Sequence, residues 1–463
     1  MIRIFNHYVS RMAFILLLLE LVVLLAVASV ASALWLADGR QHEQAAPLYL
    51  ASLTFALVIV LSMSALGMYQ HGARGGMRTT LLRIVPSFVL GFFLLSALVA
   101  LRPDLYLGRA PGSVQFALAA AAVVCTRLLV FKSATSALLE ARLMFIGSGN
   151  LARQCMDLAC SKLGFHQFKV VGCVGVDGEE RAVPEACVLP TGQTLLMMAQ
   201  QYEASEIVVT VSNRRGRAFP VAQLLECALG GVRVIDAASF FEREACQIRL
   251  DSLQPSYLIF GGGFDQSGIR ATTKRAFDLA ASTLISIAGL PFMLLAALAI
   301  LIEDGGPVFY QQERVGRHGR LFDVLKFRSM RNNAERDGLP TWASLNDPRV
   351  TRVGRVLRKW RIDELPQMIN VLRGDMSFVG PRPERAYFVE KLVRQIPYYN
   401  VRHSIKPGVT GLAQVRYHYG ASVNDAIEKL QYDLYYVKNN SLFLDLLILV
   451  DTVQVVLLGK GGR

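Results

Sequence analysis

The 463-residue chain lacks the short signatures of several common enzyme classes. Its seven cysteines form no CxxC pair and fall mostly in apolar or helical stretches, which speaks against a disulfide framework or a zinc site and for buried thiols in a reducing compartment. There is no HExxH and no GxSxG, so neither a zinc-hydrolase helix nor a nucleophile elbow is on offer. Gly263 to Gly268 has the glycine spacing of a phosphate loop, but Ile269-Arg270 stands where Lys-Ser/Thr is required. Charge is scarce at 18% and apolar residues reach 53%, with a positive mean hydropathy. A plain soluble enzyme is excluded, and part of the chain must meet lipid. The length requires two or three units. A net charge of +13 without any nucleic-acid-reading module points to anionic membrane or a phosphorylated substrate, not to nucleic acid.

Four apolar runs open the chain, at about residues 13–36, 46–68, 81–101 and 114–131. Three are long enough to cross a bilayer core, and the fourth, of about 18 residues, is marginal. The first is too long for an ordinary signal-peptide core, and another run follows it at once. Arg3 and Arg11 precede it, Arg74, Arg78 and Arg83 separate the second from the third, and the first outer loop (Asp38, Arg40, Glu43) is net acidic. The positive-inside rule predicts four spans with both ends in the cytoplasm.

From about 141 to 250 short apolar strands alternate with helical stretches. ARLMFI passes through a glycine turn into NLARQ, and VVGCVGV, EIVVTVS and VRVID follow at helix-length intervals. The pattern predicts βαβ units and a parallel sheet. Gly147-Ser148-Gly149-Asn150-Leu151-Ala152 fits G-x-G-x-x-A, a turn whose N–H groups could cradle a phosphate. The alternative is that Gly147 and Gly149 only permit a tight turn. The acid expected about 20 residues on is missing, and Asp177 comes late in a VDGEE turn, so structural use is the favoured reading.

After the linker Gly261-Gly262-Gly263 comes Lys274-Arg275-Ala276-Phe277-Asp278, then about 24 apolar residues ending at Ile302. Hydropathy reads a fifth span. Both flanks are basic, however: Lys274 and Arg275 before, Arg314, Arg317 and Arg320 after. Pro291 sits mid-run, where it removes a helical hydrogen bond and can break the helix. A helix that enters, bends at Pro291 and returns keeps both flanks on one side. From these residues alone, span and re-entry stand level.

The segment Arg314–Arg361 holds 13 Lys and Arg against five acids, counting Glu313 just before it. From Arg349 to Arg361 arginines recur about every third residue, alternating with Val350, Val353, Val356 and Leu357. Such a helix could lie on an anionic membrane with its apolar side down, or present an ordinary basic solvent face; beside lipid-length runs the membrane reading is preferred. Directly after it stands Arg361-Ile362-Asp363-Glu364-Leu365-Pro366-Gln367. Adjacent acids on a helix point about 100° apart, so they do different jobs. One could attack or bind metal while the other orients it. Two carboxylates among many cations suit magnesium and a polyphosphate. Gly380-Pro381-Arg382-Pro383 then offers an arginine held for phosphate contact, or merely a rigid turn.

KRAFDL, GPVFYQQERVGRHGRLFDVLKFRSM, NDPRVTRVGRVLRKWRIDELPQ, NVLRGDMSFVGPRPE and KPGVTGLAQV, in this order, resemble the catalytic domain of monotopic polyprenyl-phosphate phosphoglycosyl transferases. The resemblance runs from Lys274 to the C-terminus. The preceding layout is similar to the large members, which carry four spans and a Rossmann-like domain, and the wording is nearest to initiating transferases of exosortase/PEP-CTERM exopolysaccharide systems. It implies an α-helical membrane bundle (1–135), a Rossmann-like α/β domain (136–260), a linker (261–273) and a mainly α-helical catalytic domain (274–463) with a re-entrant helix at about 276–302. By the same resemblance Asp363 is the nucleophile, Glu364 its dyad partner, and Mg2+ the cofactor, with both acids as candidate metal ligands. Arg382 matches the phosphate-binding arginine, joined by Lys326 and Arg328 as candidate phosphate ligands, and Pro291 the proline that bends the re-entrant helix. Small members often carry Ser before that proline, where this chain has Leu290. The implied reaction moves a sugar 1-phosphate from a UDP-sugar to undecaprenyl phosphate, releasing UMP, at the bacterial inner membrane. Glucose, galactose and N-acetylated sugars are the candidate cargoes, and dimerisation through the soluble domains is what the large members suggest.

Two readings from other classes compete. A nucleotide-dependent oxidoreductase or dehydratase would rest on the glycine turn, but no Tyr-x-x-x-Lys pair follows and the dyad is left unexplained. A membrane scaffold or chain-length regulator accounts for the spans and not for the dyad, the basic helix and the Pro-Arg-Pro turn.

Overall fold

The computed structural model describes residues 2–4, 7–37, 45–69, 77–103, 109–134, 141–161, 168–176, 180–190, 192–211, 219–253, 257, 264, 268–331, 347, 349–417 and 422–457. The Gly261–Gly263 linker, Asp177 and Arg74 lie outside them. The chain forms two compact units, Tyr8–Ala245 with Met1–Arg3, and Cys246–Arg463 with Ile4–His7.

The first unit begins with four helices, α1 Arg11–Ala37, α2 Ala45–Ala65, α3 Met77–Leu101 and α4 Arg109–Ala134. They match the four apolar runs. Stretches of α1, α3 and α4 are long and apolar enough to cross a membrane, and α2 adds the shorter apolar stretch Tyr49–Ala65. Small residues Ala28, Ala56 and Ala119 are fully buried where the helices meet, which lets their backbones approach. Ile15, Val22, Leu61, Val85, Phe93 and Leu129 face outward, as lipid-facing residues do. One ion pair is sealed inside: Arg127 donates Nε to Glu20 Oε1 at 2.7 Å and Nη2 to Oε2 at 3.0 Å, and Tyr69 Oη donates to Oε2.

The βαβ pattern appears as a parallel sheet of β1 Ala141–Ile146, β2 Phe168–Val174, β3 Glu206–Val209 and β4 Arg233–Asp236, ordered β2-β1-β3-β4. Leu143 and Phe145 pack one face against α5 Asn150–Cys160 and α8 Ala237–Ala245. Met144 and Ile146 pack the other against α6 Leu195–Gln201 and α7 Val221–Leu229. Cover on both faces explains why these strands read as unbroken apolar runs. The glycine turn follows β1 at the point where strand order reverses. Gly147 adopts φ 114°, a conformation that needs glycine, and the Ser148 carbonyl accepts N–H groups from Ala182 and Val183 of the same unit.

The second unit starts earlier than the sequence reading placed it, because Cys246 and Ile248 are buried against Leu430 and Leu434 and Ile248 N donates to the Gln431 carbonyl. Its dominant element is α9, Gly268–Asp304, which begins inside the expected linker and runs unbroken through Pro291. Next come the antiparallel hairpin β5 Phe309–Val315 and β6 Leu321–Phe327, then α10 Arg352–Lys359 and α11 Gln367–Arg373. The parallel pair β7 Ser377–Val379 and β8 Gly408–Thr410 brackets α12 Ala386–Gln395. Helices α13 Leu412–Arg416, α14 Val423–Asn439 and α15 Leu442–Leu457 close the unit. Its core gathers Leu434, Tyr435 and Tyr436 of α14 with Phe378, Val379, Leu392 and Leu444.

Both halves of α9 are fastened to this unit. Lys274 Nζ donates to Asp445 Oδ2 at 2.7 Å and to the Val379 carbonyl, Arg275 caps the Val371 and Leu372 carbonyls, and Asp278 accepts from Ser377 Oγ and Phe378 N. Further along, Gly289 lies against Leu365, and Ala296 and Ile300 pack on Phe327 and Leu357. At the far end Glu303 accepts the N–H groups of Arg352 and Val353, each at 2.8 Å. Leu284, Ile287, Leu294, Leu298 and Leu301 form the opposite, exposed face.

Candidate active site

The site is built where α10, β6, α11 and the Pro-Arg-Pro turn converge. Helix α10 is strongly amphipathic, but its apolar side is not free for a membrane: Val353 and Leu357 pack inward with Ala296, Ile300 and Phe327. The expectation of an apolar side lying on lipid is corrected there, although Val356 and Trp360 stay exposed. Gly354 makes the close seating possible, since a Cβ at that position would lie 2.1 Å from the Ser329 carbonyl oxygen. The same seating lets Arg358 Nε donate to Ser329 Oγ at 2.9 Å.

Arg361 ends the basic helix in the left-handed region, φ 55° and ψ 23°, an uncommon conformation for a non-glycine residue. The dyad therefore sits on a separate 3-10 turn, Ile362–Glu364, and not on a continuation of the α-helix. At about 120° per residue this turn still sends the two carboxylates apart. Both are buried, Asp363 at 9% and Glu364 at 8% exposure. Asn370 of α11 fixes the neighbouring strand, accepting Leu325 N and donating to the Asp323 carbonyl.

The two acids have different surroundings. Glu364 Oε1 accepts from Arg382 Nη2 at 3.0 Å and Lys326 Nζ at 3.4 Å, and Oε2 accepts from Arg361 Nη1 at 3.1 Å. Burial alone would raise its pKa, but Arg382, Lys326 and Arg361 overcome that and hold Glu364 well below the usual carboxylate range. Among the described residues no side chain makes a hydrogen bond or ion pair with the Asp363 carboxylate. Burial and then the Glu364 charge push the Asp363 carboxyl above its ordinary range, against the pull of Lys326, Arg358 and Arg382. Four cations thus face two carboxylates, and the excess positive charge suits a polyphosphate.

Asp363, Glu364, Lys326 and Arg382, read from the sequence as site residues, are brought together. Arg328 is not. Its Nη2 donates to the carbonyls of Asp304 and Gly305, at 3.1 and 2.6 Å, and ties down the end of α9, so its assignment to phosphate gives way to an anchoring role. Arg358 and Arg361, which face the dyad, were visible only as members of a basic stripe. Lys274, Arg275 and Asp278 fasten α9 and do not reach the dyad's carboxylates.

Among the described residues no group of three or more His, Cys, Asp or Glu could hold a metal by itself. Mg2+ does not need such a cage: it takes one or two carboxylates and completes its shell with water and substrate phosphates. The free Asp363 carboxylate fits that role, and Glu364 fits it in donor type once a cation is drawn away by phosphate.

The family described as Bacterial sugar transferase matches residues 269–459. The UDP-glucose:undecaprenyl-phosphate glucose-1-phosphate transferase of Caulobacter vibrioides is 43% identical over 187 residues, 40% of this chain and 69% of that protein. The chain belongs to the bacterial sugar transferase family. The matched span holds every residue of the site described above. A UDP-N-acetylgalactosamine-undecaprenyl-phosphate N-acetylgalactosaminephosphotransferase of Aeromonas hydrophila is 43% identical over 240 residues, 52% of this chain and 56% of that one. A UDP-glucose:undecaprenyl-phosphate glucose-1-phosphate transferase of Escherichia coli K12 is 42% identical over 191 residues, 40% of each. The chain thus spans about half the length of these last two relatives.

Proposed function

We propose that the protein transfers a sugar 1-phosphate from a UDP-sugar to undecaprenyl phosphate and releases UMP, through a phosphosugar carried on Asp363. The observation that carries this is the contrast inside the dyad: Glu364 is neutralised by three cations while Asp363, buried beside Lys326, Arg358 and Arg382, keeps its carboxylate free of partners among the described residues. An unpartnered carboxylate facing cations is placed to attack an anion that those cations attract. An Asp363 oxygen attacks the β-phosphorus, the bond from that phosphorus to the bridging oxygen breaks, and UMP leaves with the electron pair. An oxygen of the lipid phosphate then attacks the same phosphorus, and the acyl-phosphate bond breaks to restore the carboxylate. Arg382 and Lys326 hold phosphate oxygens, and Glu364 orders these cations before the donor arrives. Mg2+, held by Asp363 and Glu364, would add charge screening on the diphosphate.

The same reading places α9 as a re-entrant helix. Lys274 and Glu303 would lie roughly 44 Å apart along a straight helix, at 1.5 Å per residue, yet both are bound into one unit. A crossing helix would carry one end about 30 Å away from the other's surroundings. One face packed along its whole length and one apolar face exposed support a helix sunk into a single leaflet. The bundle would anchor the chain in the inner membrane with the four-stranded sheet and the second unit on the cytoplasmic side, and that sheet with its glycine turn would be a Rossmann-like domain that needs no cofactor. Purified membranes offered UDP-glucose, UDP-galactose and UDP-N-acetylgalactosamine with undecaprenyl phosphate should release UMP from at least one, and Asp363→Ala should not. Equal release by both would end the proposal.

A further inference from the structure

The Pro381-Arg382-Pro383-Glu384 turn contains two residues without an N–H and cannot brace itself through an ordinary ladder. Each of its carbonyl oxygens is held from outside. Gly408 N donates to Pro381 at 2.9 Å, Arg402 Nη2 to Arg382 at 2.9 Å, Arg314 Nη1 to Pro383 at 3.2 Å, and Val315 N to Glu384 at 2.9 Å. The bond to Arg382 itself comes from a side chain that is 6% exposed and occupied on every side. Arg402 Nε donates to Asp433 Oδ2 at 3.0 Å, Nη1 donates to Tyr399 Oη at 3.0 Å, and Nη2 also lies 2.8 Å from Asp433 Oδ2. Asp433 belongs to α14, which is buried from Leu430 to Asn439 except at Tyr432. The Arg382 side chain, by contrast, is 41% exposed and reaches Glu364.

We infer that Arg402 is a positioning residue: braced by Asp433 and Tyr399, it pins the main chain of Arg382 so that the Arg382 guanidinium swings from a fixed root onto the donor phosphate. This rests on the reading of Arg382 as a donor-phosphate ligand. Arg402 has its guanidinium spent on three protein groups, so it acts through Arg382 and does not touch substrate. A lysine at 402 could keep an ion pair with Asp433 but could not span Asp433, Tyr399 and the Arg382 carbonyl at once, because an ammonium lacks the planar fork.

The test is a double-mutant cycle on the full-length protein in detergent, with undecaprenyl phosphate and whichever of UDP-glucose, UDP-galactose or UDP-N-acetylgalactosamine is turned over. Arg402→Lys should lower kcat/KM for the UDP-sugar about 10- to 100-fold, chiefly through the donor KM, as loss of a supporting hydrogen bond does elsewhere. With Arg382 already replaced by Ala, the same change should cost less than about threefold, since the residue it positions is gone. An equal loss in both backgrounds, or none in either, overturns the inference while leaving Arg382 as a phosphate ligand. If Arg382→Ala alone leaves the donor KM unchanged, the reading of Arg382 fails and takes this one with it. Should Arg402→Lys not fold, Asp433→Asn takes its place in the cycle. If both variants lose the folded unit, Arg402 is a fold-holding residue and the inference is overturned.

Discussion

Arg382 Nη2 rests 3.0 Å from Glu364 Oε1, so the arginine read as the donor's phosphate ligand is already paired within the dyad. On the proposed reaction, a UDP-sugar would draw it from Glu364, whose carboxylate would then be open to Mg2+. Replacing Glu364 by Gln removes the charge that gathers Arg382, Lys326 and Arg361. Turnover should fall at least about tenfold, on the scale of losing one electrostatic contact at a reacting phosphate. The Mg2+ concentration needed for half-maximal rate should rise. Kinetics across a Mg2+ titration check both, and an unchanged turnover with an unchanged Mg2+ requirement removes Glu364 from the chemistry.

Topology gives a second test. If α9 returns to the side it entered from, single-cysteine labels introduced at Arg142 and at Arg320 should both react only from the cytoplasmic side. Periplasmic labelling at Arg320 would mean that α9 crosses. Pro291→Ala should restore a helical hydrogen bond, favour a straight helix and give a mixed labelling pattern.

The glycine turn should matter to folding and not to transfer. Gly147 stands at φ 114°, where a side chain is strained, so Gly147→Ala should cost about 1–2 kcal/mol of stability in the first unit. Gly149, at φ −80°, carries no such strain, and Gly149→Ala should be mild. UMP release per folded molecule should stay within about twofold for both. A deep fall in turnover with folding intact would show that the turn binds something the reaction needs.

Acid should destabilise the second unit through His403. Burial, followed by the nearby Arg402 charge, lowers its pKa from 6.5 to about 4, and its Nε2 is buried without a hydrogen-bond partner. The unfolded chain therefore binds a proton that the folded chain refuses between those two values. Stability from this group is fully present above about pH 6.5 and is lost progressively as pH falls through 4. The drop in thermal midpoint from pH 7 to pH 5 should be smaller in His403→Gln than in the parent chain. Identical drops would exclude His403 as the source.

What the sequence made legible followed from strong local patterns. The four apolar runs and the βαβ alternation each carry their signal in a local pattern, and each has its counterpart in the fold. The boundary at Ala245/Cys246 was not legible, because it depends on Ile248 finding Leu430 and Leu434 nearly two hundred positions away. Arg328 shows the converse. By composition it matched Lys326, two residues earlier on the same strand side, but the end of α9 offers carbonyls that bind it first. The buried Glu20–Arg127 pair was invisible for the same reason, one charge in each of two distant apolar runs. Nor does a stripe of arginines say which of its members turns inward; Gly354 and the left-handed Arg361 decide that Arg358 and Arg361 face the dyad.

The sharpest prediction concerns the intermediate. Asp363 carries no hydrogen-bonded base among the described residues, and a carboxylate needs none, since its anion is itself the nucleophile. UMP is a workable leaving group once Arg382 and Lys326 screen the phosphates, and Mg2+ held by the dyad would add to that screening. Two displacements also spare the site from holding a water-soluble donor and a long lipid at the same time. UMP should therefore appear without any acceptor, in an amount no greater than the enzyme present, and Asp363→Asn should abolish it. Donor labelled in its β-phosphate should leave label on the protein at Asp363, and undecaprenyl phosphate should chase it off. If UMP forms only when the lipid is added, and no label can be trapped on Asp363 by rapid acid quenching, the two substrates react directly and Asp363 serves metal or phosphate instead.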